Sequence, residues 1–291
     1  MSEKDKTSAL AVSEKQRPLS WSLRRREMFF RCQREYFLHY YGSAGGHELH
    51  ADRDARLLHR LRNMVDMPEY INHLLLTVLY ELFISGGDTP EFFRAQVEAL
   101  LQRELSDMLL GRGEFDHKIL LLRELTLPGA NHIQLKSELC AAVRRNAELW
   151  QQNALQIILS VPVEQRLFFP MPLPVDFGEI KCFCAPAAIW LQEGFLNIVE
   201  ISPASDERTA LHCLYAMNQY GLSPEKVRSW VIADGVLQAT PLPESFSGAL
   251  RNIRNDLDQM MFPGRSGIYC EKDFYADRNH CEQCRFHIFC N

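Results

Sequence analysis

His280-Cys281-Glu282-Gln283-Cys284-Arg285-Phe286-His287-Ile288-Phe289-Cys290-Asn291 gathers three of the chain's nine cysteines into ten residues. Two thiolates separated by two residues can grip one site from a tight turn, and a third, after five intervening residues, can close over it from the next turn. An isolated cysteine packs as a small apolar side chain. Clustering at ligand spacing points instead to a soft metal. Zinc and an iron–sulfur cluster both suit this spacing, and a fourth ligand has to come from elsewhere in the chain.

At 291 residues the chain can bury a substantial core, as one elaborated domain or two closely packed ones. The longest apolar run, around Leu74 to Ile84, is too short for a membrane span and carries Tyr80 and Glu81. The polar N-terminus lacks the apolar core of a signal peptide, so the expectation is a cytoplasmic protein with no membrane association and reduced cysteines. A net charge of −5 excludes a protein that coats nucleic acid indiscriminately. A local basic patch is still open to it: Arg24, Arg25 and Arg26, with Arg31 and Arg34, form the candidate nucleic-acid surface.

Residues 1–17 show mixed charge and no periodicity and read as a disordered tail. A helix is expected from Ser20-Trp21-Ser22 to Gly42, with Cys32 in its middle, then a loop over 42–50 and a second helix carrying Leu57, Leu58, Leu61 and Met64. Helical spacing recurs over 69–84, 90–110 and about 137–158, the last with a stripe of Leu139, Val143, Ala147, Trp150, Ala154 and Ile157. The texture then changes. Strands are expected at Val161 to Phe169, Ile180 to Leu191 and Phe195 to Ser202, with a proline-rich turn after the first and Gly194 turning between the last two. A helix from Asp206 to Tyr220, a strand from Val227 to Ala233 and a helix from Phe246 to Met261 complete an α/β core behind a large helical region.

Together these parts resemble the iron–sulfur branch of the RecB-like PD-(D/E)XK nucleases, which includes the CRISPR-adaptation exonucleases and the AddB nuclease domain. The resemblance runs from Ser20 to Cys290. It rests on Ser20-Trp21-Ser22 followed by Cys32-Gln33-Arg34-Glu35-Tyr36 and Tyr40, on His59 within Leu57-Leu58-His59-Arg60-Leu61, on the αβββαβ order, and on the Cys-x2-Cys-x5-Cys close. It implies a restriction-endonuclease-like core and a [4Fe–4S] cluster held by Cys32, Cys281, Cys284 and Cys290, joining ligands about 250 residues apart; zinc is the alternative occupant. On this reading, residues 18–160 form a helical part with the first cluster ligand, 161–262 the nuclease-like core, and 263–291 the cysteine segment. Cys140, Cys182, Cys184, Cys213 and Cys270 are expected in the core.

The catalytic positions depart from that family. Its chemistry needs carboxylates converging on Mg²⁺ or Mn²⁺ and a lysine beside the nucleophile. Aligned by strand order, the third strand offers Glu200-Ile201-Ser202, a carboxylate with serine at the lysine position. The second strand has no carboxylate from Cys182 to Gln192, so the metal-binding aspartate falls near Pro186 or Ala187. The next helix reads Leu211-His212-Cys213-Leu214-Tyr215, with leucine in place of glutamine. A displaced active site is the competing reading: Glu179-Ile180-Lys181 is a literal Glu-x-Lys, with Asp176 and Glu164 upstream and His59 as a further helper. Against it, another strand follows Lys181 rather than a helix, and Asp176 is expected to be too near in sequence to occupy a separate strand of a hairpin. The expectation is therefore a pseudonuclease that binds DNA or assembles protein partners in a DNA-processing, CRISPR-type or antiphage defence complex. An active Mg²⁺- or Mn²⁺-dependent deoxyribonuclease and a zinc-stapled interaction module are the alternatives.

Overall fold

The computed structural model describes residues 19–86, 89–112, 119–126, 130–201, 205–261, 274–277, 279, 281 and 284–290. Ser20–Trp21 forms a short strand, β1, and Ser22 then caps α1 (Leu23–Arg31) by accepting a hydrogen bond from Arg25 N. The single helix expected to reach Gly42 is interrupted at Cys32, whose backbone is extended (φ −158°, ψ 110°). The sulfur explains the interruption. Cys32 Sγ accepts from Glu35 N at 3.4 Å and so caps a new helix, α2 (Gln33–Phe37), which runs into a π turn over Leu38–Gly42. After the expected loop, Asp52 caps α3 (Arg53–Arg62); Met64 leaves that helix and joins β2 (Met64–Val65).

α4 (Met67–Ser85) and α5 (Pro90–Leu109) follow the expected spans, α4 stopping at Gly86 in the left-handed conformation (φ 79°). β3 (Leu121–Leu122), parallel to β2, leads through α6 (Arg123–Thr126) to α7 (His132–Gln152). The helix expected to continue to 158 breaks at Asn153 before α8 (Ala154–Leu159). Its helical groups are claimed from outside: Asn153 Oδ1 accepts from Leu237 N at 3.2 Å, and Ala154 N donates to Gly235 O at 3.1 Å. A Cβ at residue 235 would lie 2.7 Å from the Leu149 carbonyl, so glycine is what lets this hairpin tip approach α7. The break also rephases the stripe, burying Ile158 and leaving Ile157 47% exposed.

Prolines explain the differences among the strands. Val161 to Phe169 is not a strand: after Pro162 it makes a 3-10 turn (Val163–Gln165) and one isolated bridge, Arg166 to Trp190. Arg166 is spent on helix ends, donating to the carbonyls of Phe83, Leu159 and Val161 at 2.8–3.1 Å. The expected proline-rich turn contains β4 (Leu173–Phe177), paired antiparallel to β5 (Ile180–Cys184). Pro174 is tolerated because β5 is β4's one partner in the sheet order β1-β5-β4. The second expected strand is divided at Ala185-Pro186-Ala187 into β5 and β6 (Ala188–Gln192). β7 (Phe195–Glu200) follows as expected, then α9 (Asp206–Tyr220), β8 (Val227–Ala233), β9 (Val236–Thr240) and α10 (Phe246–Met261). β6-β7-β8-β9 form one sheet, with β7 and β8 parallel across the α9 crossover.

Alternation along these strands divides the interior in two. Trp190, Val199 and Ile232 pack with α4, α5, α7 and α8, while Ile189, Leu196, Ile198 and Val227 pack with α1 to α3, α9, α10 and β4–β5. Both cores draw residues from each side of position 160, so the helical and α/β parts pack as one body. Cys182, Cys184 and Cys213 are buried as expected; Cys140 is half-buried on α7, with Gln102 Nε2 3.9 Å from its sulfur, and Cys270 lies outside the described residues. Among the described residues, no helix is long and apolar enough to cross a membrane.

Candidate functional site

Glu200 ends β7, and Ser205 restarts the chain as α9 by capping Arg208 N. Residues four apart share a helix face, so Arg208 and His212 both meet the strand end. Arg208 Nε donates to Glu200 Oε2 at 2.7 Å, and His212 Nε2 lies 3.0 Å from Oε1. Their side chains are 12%, 5% and 3% exposed for Arg208, Glu200 and His212. His212 Nδ1 is 2.9 Å from Ser229 Oγ on β8. Cys184, at the end of β5, brings its sulfur within 4.8 Å of donor atoms of Glu200 and His212, and this group could hold a metal ion. Burial, reinforced by the Glu200 carboxylate, pushes the Cys184 thiol well above its ordinary range.

Both oxygens of Glu200, the carboxylate that the resemblance places at the family's metal position, thus have partners within the protein. Glu200 was legible in the sequence, but Arg208 and His212 were not. The signal was their i, i+4 spacing on the helix after the strand, which places two nitrogen donors over its last residue. Ser202 lies outside the described residues.

A cleft opens beside this group. Its cavity of about 430 Å³ is lined by Ser22, Arg24, Arg25, Cys184, Glu200 and Arg208. A second cavity of about 740 Å³ shares Arg24 and Ala185 and adds His39, Tyr40, Arg62 and Glu69. Arg25 stacks on the Tyr40 ring at 4.1 Å, and Arg24 pairs with Glu69 at 2.6 Å. Buried His39 is held well below its ordinary pKa by desolvation, then by the positive charges of Arg62, Arg24, Arg285 and Arg25. Arg31 and Arg34 serve elsewhere: Arg31 makes a two-pronged pair with Glu35 at 2.9 and 3.0 Å, and Arg34 donates to Phe289 O at 3.3 Å.

Those two arginines flank the cysteine cluster. Phe274 stacks against Phe37 at 4.9 Å, and fully buried Phe286 enters the same core, bringing the C-terminal segment onto α2. Arg34 N donates to Tyr275 O at 3.0 Å. Cys284 lies in a turn with Cys281, its N–H donating to Cys281 O at 3.1 Å. Burial pushes the Cys284 thiol up to about 12, against a backbone hydrogen bond from Phe286 and with added repulsion from Glu35, Cys290 and Cys32. Cys281 Sγ rests 3.8 Å from Asp277 O in the adjoining turn. Among the described residues, the group whose donor atoms lie within 4.8 Å of one another is Cys184, Glu200 and His212, not the four cysteines of the expected cluster.

The remaining candidates do not join Glu200. His59 is buried on α3, 3.3 Å from Asn63 and packed on His47. Glu164 sits exposed in the 3-10 turn, and Glu179 is exposed in the β4–β5 turn. Contrary to the sequence expectation, Asp176 does lie on a separate strand, directly opposite Lys181, because Gly178 at φ 63° permits a two-residue turn. Their 2.5 Å ion pair is more than half exposed on both sides. No protein-family model matches this chain, and comparisons with curated proteins and with solved structures return no match.

Proposed function

We propose that this chain is a catalytically degenerate RecB-like PD-(D/E)XK domain that binds DNA as a subunit of a DNA-processing, CRISPR-type or antiphage defence complex. The observation that carries the reading is the state of Glu200. A hard divalent ion needs several oxygen ligands; here one carboxylate is closed off by a guanidinium at 2.7 Å and an imidazole at 3.0 Å, with no second carboxylate on β5 or β6. Arg208 supplies as a fixed side chain the positive charge that an active relative takes from its metal. The β4–β5, β6–β7, α9, β8 order also supports this ancestry, as do the hydrogen bonds from Arg34, two residues after Cys32, to the carbonyls of Tyr275 and Phe289 in the C-terminal segment.

On this reading Cys32, Cys281, Cys284 and Cys290 hold a [4Fe–4S] cluster, which fastens the two ends of the chain and adds no step at Glu200. DNA phosphates occupy the cleft along Arg24, Arg25 and Arg62, with Tyr40 as an aromatic surface beside them. The test is to incubate anaerobically purified, iron-quantified protein with single- and double-stranded DNA in Mg²⁺ and in Mn²⁺. Expected are intact DNA and salt-sensitive binding, with the salt slope reduced by about 1 in Arg24→Ala and in Arg25→Ala and unchanged in Arg31→Ala. Metal-dependent cutting abolished by Glu200→Ala would contradict the reading.

A further inference from the structure

The end of β5, the end of β7 and the middle of α9 deliver three different donors to one buried point: Cys184 sulfur, a Glu200 oxygen and a His212 nitrogen, all within 4.8 Å of one another. Sulfur, imidazole and carboxylate together suit a borderline-soft ion, which takes thiolate at about 2.3 Å and imidazole or carboxylate at about 2.0–2.2 Å. They do not suit Mg²⁺, which takes oxygen. The neighbours are arranged as an outer shell around such an ion. Ser229 Oγ holds His212 Nδ1 at 2.9 Å, leaving Nε2 on the side of the other donors. Arg208 holds Oε2 of Glu200 at 2.7 Å, leaving Oε1 on that side. An entry path exists, since Cys184 and Glu200 both line the 430 Å³ cavity.

We propose that Cys184, Glu200 and His212 form a binding site for Zn²⁺ or a chemically similar ion, separate from the cysteine clasp and independent of whether the chain descends from a nuclease. On binding, the Cys184 thiol releases one proton to solvent as Sγ bonds the ion. The proton that His212 Nε2 shares with Glu200 Oε1 leaves that nitrogen and the ring carries its one N–H on Nδ1, facing Ser229 Oγ, so that Nε2 and Oε1 each bond the ion; no electron is transferred. A fourth position faces the cavity and takes water or an anionic oxygen. The ion pins three elements at the cleft floor and adds positive charge beside Arg208.

The test is zinc-edge X-ray absorption on the whole 291-residue chain, its clasp loaded with iron beforehand, carrying one added equivalent of Zn²⁺, with affinity measured by equilibrium dialysis. The expected first shell has one sulfur and otherwise nitrogen and oxygen. Affinity should fall about 10- to 100-fold in Ser229→Ala, which removes an outer-shell partner without removing a donor. It should fall at least as far in Cys184→Ser and His212→Gln, and hold in Cys281→Ser. A sulfur-rich shell, or no zinc retained by wild-type protein, overturns the proposal, and because both are read on the wild type they stand even if a variant fails to fold. DNA cleavage would overturn the pseudonuclease reading without touching this one, and an absence of zinc would do the reverse.

Discussion

The cysteine clasp and the Glu200 group are both built from ligand-type side chains, yet they sit in opposite states. Around Glu200, short regular elements, β7 into α9, bring in partners that consume one another: carboxylate with guanidinium, imidazole with carboxylate and hydroxyl. On the C-terminal segment Cys281, Cys284 and Cys290 are half-buried, and the sulfurs of Cys32 and Cys284 each accept a backbone N–H, from Glu35 and Phe286. The lesson is that keeping a ligand residue does not keep its original ion. What decides is which neighbours the donor has: around Glu200 they are a guanidinium, an imidazole and a thiol rather than the further oxygens a hard ion needs.

The largest effect should come from undoing the internal pairing. Arg208→Ala leaves the 5%-exposed Glu200 without its cation, and breaking a buried pair from one side costs about 3–5 kcal/mol, measurable by urea unfolding. A loss under about 1 kcal/mol would mean that the carboxylate is hydrated and the contrast overdrawn. Next is the anchor of the segment carrying Cys32. Asp256 on α10 accepts from the buried Trp21 indole at 3.1 Å and from Arg26 at 2.9 Å. Asp256→Ala should cost about 1–3 kcal/mol, chiefly through the orphaned indole N–H, measurable by urea unfolding.

A smaller, pH-dependent effect comes from a core thiol. Burial pushes Cys182 up to about 12 from an ordinary 9.0. The unfolded chain gives up this proton first, so between pH 9 and 12 the native state holds more protons and stability falls as pH rises; below pH 9 the group contributes nothing. Denaturant titrations should show that slope eased by about 1.4 kcal/mol per pH unit in Cys182→Ala. The smallest effect belongs to the displaced Glu-x-Lys. Lys181→Ala removes an exposed ion pair and should change stability by no more than about 0.5 kcal/mol, with DNA binding unaltered.

Much of this architecture is legible in the sequence because period and punctuation agree there. α9 and β8 fall at their expected residues, set by a serine cap, a Gly221 stop and an apolar run. The misreadings arose where a side chain or a distant backbone overrode local pattern. Cys32 looks like a mid-helix residue until its sulfur is seen capping the next helix, and Asn153 looks helical until the Gly235 turn docks on it. Pro174 disguised an edge strand as a turn, and Pro186 divided one strand into two. At the site, Glu200 could be found by strand order. Arg208 and His212 carried only their i, i+4 spacing as a signal, and Ser229 none, because the pairing that defines them depends on how α9 and β8 pack against β7.

The central claim is that Glu200 is satisfied inside the protein and no longer serves a hard catalytic ion. Titration calorimetry of Mn²⁺ into the wild-type chain and into Glu200→Gln tests it directly. The account predicts no saturable Mn²⁺ binding at millimolar concentrations in either protein. A stoichiometric binding event in the wild type that vanishes in Glu200→Gln would contradict it.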